Sequence, residues 1–124
     1  MSEPVKTPRE KRERRHNPKK EEKNARKSLA ELRASKGNTN MDTLEACLVL
    51  ARCLAAQGGE KFSEAEDLLR EVIEGKRKAL GYGHKSIAPV LMELSDVLNE
   101  TGDKNKAREA HALEKEANQM ATAA

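Results

Sequence analysis

The sequence holds no Trp, one Phe (Phe62) and one Tyr (Tyr82) in 124 residues. Aromatic side chains bury the most area per residue, so any core must be thin and built from Leu, Val, Ile and Ala. No apolar run reaches the ~18 residues of a membrane span or forms the apolar region of a signal peptide. There are two cysteines, Cys47 and Cys53. Six positions apart on one expected helix, at ~100° per residue, they point to different faces and cannot pair with each other. Both read as reduced small core residues, which favours a reducing compartment: cytoplasmic, with nuclear or cytoskeletal sites as alternatives. Strand alternation is missing as well, so the chain is expected to be all-α.

What the chain has is charge. Apolar and charged residues each make up 36% of it, so the single domain that this length allows is expected to be marginal alone and to rely on a partner. The charge is polarised. Residues 1–40 hold 13 Lys/Arg and 6 Asp/Glu, a net of +7, whereas residues 41–124 hold 11 and 15, a net of −4. A basic arm on an acidic domain calls for an acidic surface or an acidic tail opposite the arm. Glu3, Glu10 and Glu13 argue against a mitochondrial transit peptide, which is poor in acids.

Residues 1–16 read as an extended or disordered arm. Asn17-Pro18 then reads as a helix start, and 17–37 as a charged N-terminal helix with Ala25, Leu29 and Leu32 on a narrow stripe. Gly37 ends it. A second helix follows a capping box at Asp42-Thr43-Leu44-Glu45, with Leu44, Cys47, Leu48, Leu50, Ala51, Leu54 and Ala55 inward. Gly58-Gly59 stops it, and Ser63-Glu64-Ala65-Glu66 reads as another capping box. The third helix runs to about Leu80 and carries Ala65, Leu68, Leu69, Val72, Ile73 and Leu80 inward. After a turn at residues 81–85, Ser86 is expected to cap a fourth helix with Pro89 in its first turn. The last helix, from Lys104 to about Met120, buries mainly Ala107, Ala110 and Ala117, with Leu113 and Met120. Residues 121–124 read as a tail.

Within residues 41–120 the sequence repeats itself. Leu50-Ala51-x-x-Leu54-x-x-x-Gly58, then Glu64-Ala65, returns as Leu94-Ser95-x-x-Leu98-x-x-x-Gly102, then Lys106-Ala107. The first copy has two more residues between Gly and Ala, so a bulged loop is expected there. A period in this range marks stacked helical units. The pattern resembles the tetratricopeptide repeat in its kinesin-light-chain-like form, and Leu80-Gly81-Tyr82-Gly83-His84 resembles the stretch between that form's helix pairs. The resemblance implies two antiparallel helix pairs, with small residues at Ala51, Ala65, Ser95 and Ala107 where helices approach closely. It also implies a concave partner groove lined by the first helix of each pair: Glu45, Leu48, Arg52 and Ala55, continued by Met92, Asp96 and Asn99. The plain alternative is that Leu48 and Met92 are core.

The basic arm is the second candidate surface. Lys6, Arg9, Lys11, Arg12, Arg14, Arg15, Lys19 and Lys20 could neutralise several phosphates. With no aromatic among them, sequence-specific nucleic-acid reading is not expected. The same run suits an acidic protein surface, a nuclear localisation signal or a solvated tail, and Thr7-Pro8-Arg9 matches a proline-directed phosphorylation site. Tubulin's acidic tails make a cytoskeletal assembly one fitting partner.

Catalytic chemistry finds little to use. His16, His84 and His111 are scattered, with no Cys or carboxylate at metal-ligand spacing. His84 is expected to hydrogen-bond its turn. No glycine-rich phosphate loop follows a strand, and Glu64 and Glu66 are explained by a helix start. The expectation is a non-enzymatic adaptor or small structural subunit that takes no cofactor or metal. An RNA-associated subunit held by the arm is the alternative.

Overall fold

The computed structural model describes residues 18–122. Among them are five α-helices, α1 (Pro18–Lys36), α2 (Met41–Gln57), α3 (Lys61–Leu80), α4 (Ala88–Glu100) and α5 (Lys104–Thr122), with a 3-10 turn (Lys85–Ile87) before α4. No strand occurs among the described residues, as the missing alternation implies. Residues 1–17, which include most of the basic arm, the Asn17 cap and His16, lie outside the described part.

Consecutive helices pack on one another. Contact is most extensive between α2 and α3 and between α4 and α5, somewhat less between α1 and α2, and least between α3 and α4. The core runs through all five helices. Leu44, Leu50, Leu54, Leu69, Leu91, Leu94 and Leu98 are its largest enclosed leucines, and Ala25 and Leu29 join it from α1. Val90 and Val97 are both buried, as is Ile87 at the end of the 3-10 turn.

Several local expectations are corrected. The cap of α2 is Asn40, whose side-chain oxygen accepts from the Asp42 N–H at 2.8 Å, so the Asp42 box does not form. The Ser63 box fails too, because α3 starts earlier, at Lys61, with no side-chain cap. His84, not Ser86, caps the turn before α4: its Nδ1 accepts from the Ser86 N–H at 3.1 Å and lies 2.8 Å from the Ser86 hydroxyl. That contact is the turn role expected of His84. Asp103, which the sequence marks only as part of the Thr101-Gly102-Asp103 break, caps α5 by accepting from the N–H groups of Asn105 and Lys106.

The loop after α2 does not bulge. Residues 58–60 and 101–103 are equally long, and the two extra residues lengthen the ends of α2 and α3 instead. Gly58 and Gly59 make this tight exit possible with φ of 71° and 58°, a region side-chain-bearing residues rarely enter. Leu80 is exposed rather than inward. Ala107 is also exposed, so of the four small residues only Ala51, Ala65 and Ser95 sit at close approaches. The final helix continues to Thr122, two residues into the expected tail.

Gly75 was not singled out in the sequence. It is buried mid-helix in α3, and a Cβ there would lie 2.7 Å from both methyl carbons of Leu44. A glycine inside a strong helical pattern was the available signal, since it costs ~1 kcal/mol against Ala and is kept for a packing reason. Here the reason is the close approach of α2 and α3.

Candidate functional site

The expected groove residues divide into four groups. Arg52, Ala55 and Asp96 come together around a small cleft of about 170 Å³ between α2 and α4. Arg52 Nε donates to Glu93 Oε1 at 2.7 Å and ties the two helices across that cleft. Met92 and Asn99 lie exposed on the same helix, α4. Glu45 is exposed on α2 but lines a different cleft, on the side of α1. Leu48 leaves the set: at 4% exposure it is core, and its neighbour Val49, at 44%, presents the apolar surface instead. Val49 lines the cleft on the side of α1, not the α2–α4 cleft.

Three of the exposed large apolar side chains, Met41, Val49 and Met92, belong to α2 and α4. The charge of these two helices is mostly acidic, although Asp42 is paired with Lys36 of α1. Helices α2 and α4 carry five acids (Asp42, Glu45, Glu93, Asp96, Glu100) and one cation, Arg52. Helix α1 is the reverse, with seven Lys/Arg and three Asp/Glu, a net of +4. Lys19 and Lys20, the two arm residues that fall in the described part, are exposed on α1.

Helices α1, α3 and α5 are joined by an ion-pair network that occurs twice. In the first copy Glu22 accepts from Arg26 and from Lys61, Arg26 grips Glu64 through two bonds of 2.6 and 2.7 Å, and Arg33 grips Glu71 at 2.7 and 3.0 Å. In the second, Glu66 accepts from Arg70 and from Lys106, Arg70 grips Glu109 at 2.6 and 2.9 Å, and Arg77 reaches Glu116 at 2.7 Å. Glu22, Arg26 and Arg33 each precede Glu66, Arg70 and Arg77 by 44 positions, the same offset that relates Leu50 to Leu94. Helix α1 thus stands to α3 as α3 stands to α5.

The carboxyls feel these cations. Hydrogen bonds from Gln57 and then Arg26 hold Glu22 down at about 2. Arg26 lowers Glu64, and Arg70 lowers Glu109. Burial pushes Glu66 upward, but Lys106 and Arg70 outweigh it and the net direction is down. The fully enclosed Cys47 lies beneath the Arg33–Glu71 pair, 3.5 Å from the guanidinium and 3.8 Å from the carboxylate. Burial, then Glu71, pushes its thiol up to about 11. Burial also raises Cys53. Both cysteines are free thiols, as their spacing implied.

The carboxylates are held ionised by fixed cations, Cys47 is held protonated and sealed, and His84 is committed to its turn. No group of three His, Cys, Asp or Glu among the described residues could hold a metal ion. No described helix is long and apolar enough to cross a membrane. The chain matches no protein-family model and no curated protein sequence.

Proposed function

We propose that the chain is a tetratricopeptide-like helical array that serves as a non-enzymatic adaptor or small structural subunit of a larger assembly. The observation that carries this reading is that Met41 and Val49 of α2 and Met92 of α4 stand exposed on helices that together carry five acids and one cation. Exposed large apolar side chains set among charges of one sign suit a partner surface that supplies both apolar contact and positive charge. The duplicated network supports the repeat reading, because stacked units reuse the same neighbour contacts. The basic leader, continued by the exposed lysines of α1, suits an acidic surface, a cytoskeletal one among them.

The test is affinity capture with quantitative mass spectrometry, comparing the full chain with a Met92→Lys, Asp96→Lys variant and with a chain lacking residues 1–17. A protein retained by the full chain and lost with the α4 variant supports the docking face. Identical capture by all three contradicts it. The +4 charge of α1 also favours a second reading, in which the basic end binds RNA in a ribonucleoprotein. Binding that falls steeply with salt and vanishes without the leader would favour it.

A further inference from the structure

A cleft of about 550 Å³ lies between α1 and α2. Its apolar floor includes Ala25 and Leu32 of α1 and Val49 and Cys53 of α2, and its rim carries Glu21, Asp42 and Glu45. The 44-residue offset explains why it is open. Helix α4 turns Glu93 and Val97 toward α2, and the residues 44 positions earlier are Val49 and Cys53. On α2 these line the cleft. The cleft is therefore the place, beside α1 and α2, that α2 itself fills beside α3 and α4. It is the position of a first helix belonging to the unit whose second helix is α1.

The chain's own leader does not supply that helix's apolar face. Forty-four positions before Leu50, Ala51 and Leu54 stand Lys6, Thr7 and Glu10. Those charged and polar residues could not cover an aliphatic floor. We propose that the cleft receives an amphipathic helix from a partner protein, with an aliphatic stripe that fills the floor and lysine or arginine flanks that meet the acidic rim at the exposed Glu45. This rests on the repeat reading above, but not on the α4 face.

The test uses the full chain and a labelled peptide of about 18 residues, alternating leucine and alanine on one helical face and lysine on the other, with a twin carrying glutamate for lysine. Fluorescence anisotropy reads affinity, and mass spectrometry reads the rate of iodoacetamide labelling at Cys53, which is partly exposed in the cleft. The lysine peptide should bind saturably and slow labelling of Cys53. Val49→Glu should weaken binding by about tenfold or more, and Glu45→Lys by less. Both residues are exposed, so thermal melts should be little changed. The glutamate twin, if it binds the basic leader, should leave Cys53 labelling unchanged. Unaltered labelling with the lysine peptide, or equal affinity for Val49→Glu and the native chain, overturns the proposal. If that happens while α1 remains protected from hydrogen exchange, the docking site falls and the repeat reading stands.

Discussion

At the joint between α1 and α3, Arg33 and Glu71 close over the Cys47 thiol with two bonds, and Gln57 adds a hydrogen bond to Glu22. At the joint between α3 and α5, the corresponding Arg77 reaches Glu116 with one bond and lies 5.3 Å from the Tyr82 ring centre, while its Nε is enclosed without a partner. On α4, Ser95, where the first unit has Ala51, sets its single hydroxyl proton between the Ala110 carbonyl at 3.1 Å and Glu114 at 3.2 Å. The shared parts are the ion pairs and the leucines; the differing parts are the small polar groups packed around them. This separates the contacts that define a unit from those that adapt it to its neighbours.

The most forceful way to probe that equivalence is in the core. Leu54 and Leu98 occupy matching places and neither is exposed. Leu54→Ala and Leu98→Ala should each cost about 2–5 kcal/mol in urea unfolding, and by similar amounts. A large gap between them would mean that one unit is more loosely packed. Gly75 sharpens the contrast, since the residues 44 positions before and after it are Glu31 and Gln119. Gly75→Val, pressing on Leu44, should destabilise by about 1–3 kcal/mol on the same measurement.

Charge comes next in size. Double-mutant cycles for Arg26 with Glu64 and for Arg70 with Glu109 should each give a coupling of about 0.5–1 kcal/mol, limited because all four side chains are more than a third exposed. Unequal couplings would break the equivalence of the joints. The pH dependence has a definite sign. Glu22, Glu64, Glu66 and Glu109 are all held below their ordinary value of 4.5 in the folded chain. Their contribution is complete above that value and is lost as pH falls through the folded values, down to about 2 for Glu22. Stability measured from pH 6 to pH 2 should therefore fall, and Glu22→Gln should flatten the most acidic part of that fall.

The helices and their buried faces were legible because 3.6-residue periodicity needs nothing beyond the chain itself. Leu50, Leu54, Leu94 and Leu98 fell where the spacing put them. Caps were harder, since several Asp, Ser and Asn candidates crowd each helix start and only the backbone path selects among them: Asn40 over Asp42, Asp103 over none foreseen. On α2, Arg52 and Ala55 line the cleft toward α4, while Leu48 is core and its neighbour Val49 lines the cleft toward α1; neighbours are ~100° apart, and an apolar pattern does not say which side of the stripe is left uncovered. The duplicated network was present in the sequence as Glu22-x-x-x-Arg26 with Arg33, then Glu66-x-x-x-Arg70 with Arg77. In a chain so rich in charge those residues carry no mark of their own. Only their oppositely charged partners, 38–40 positions away on another helix, distinguish them.

The central claim is that α1 is the second helix of a unit, locked to α3 as α3 is to α5. Native-state hydrogen exchange tests it most directly. The account predicts that the amides around Ala25 and Leu29 exchange as slowly as those of α3, opening together with it as denaturant is raised. Near-random-coil exchange in α1, with α2 to α5 still protected, would contradict it.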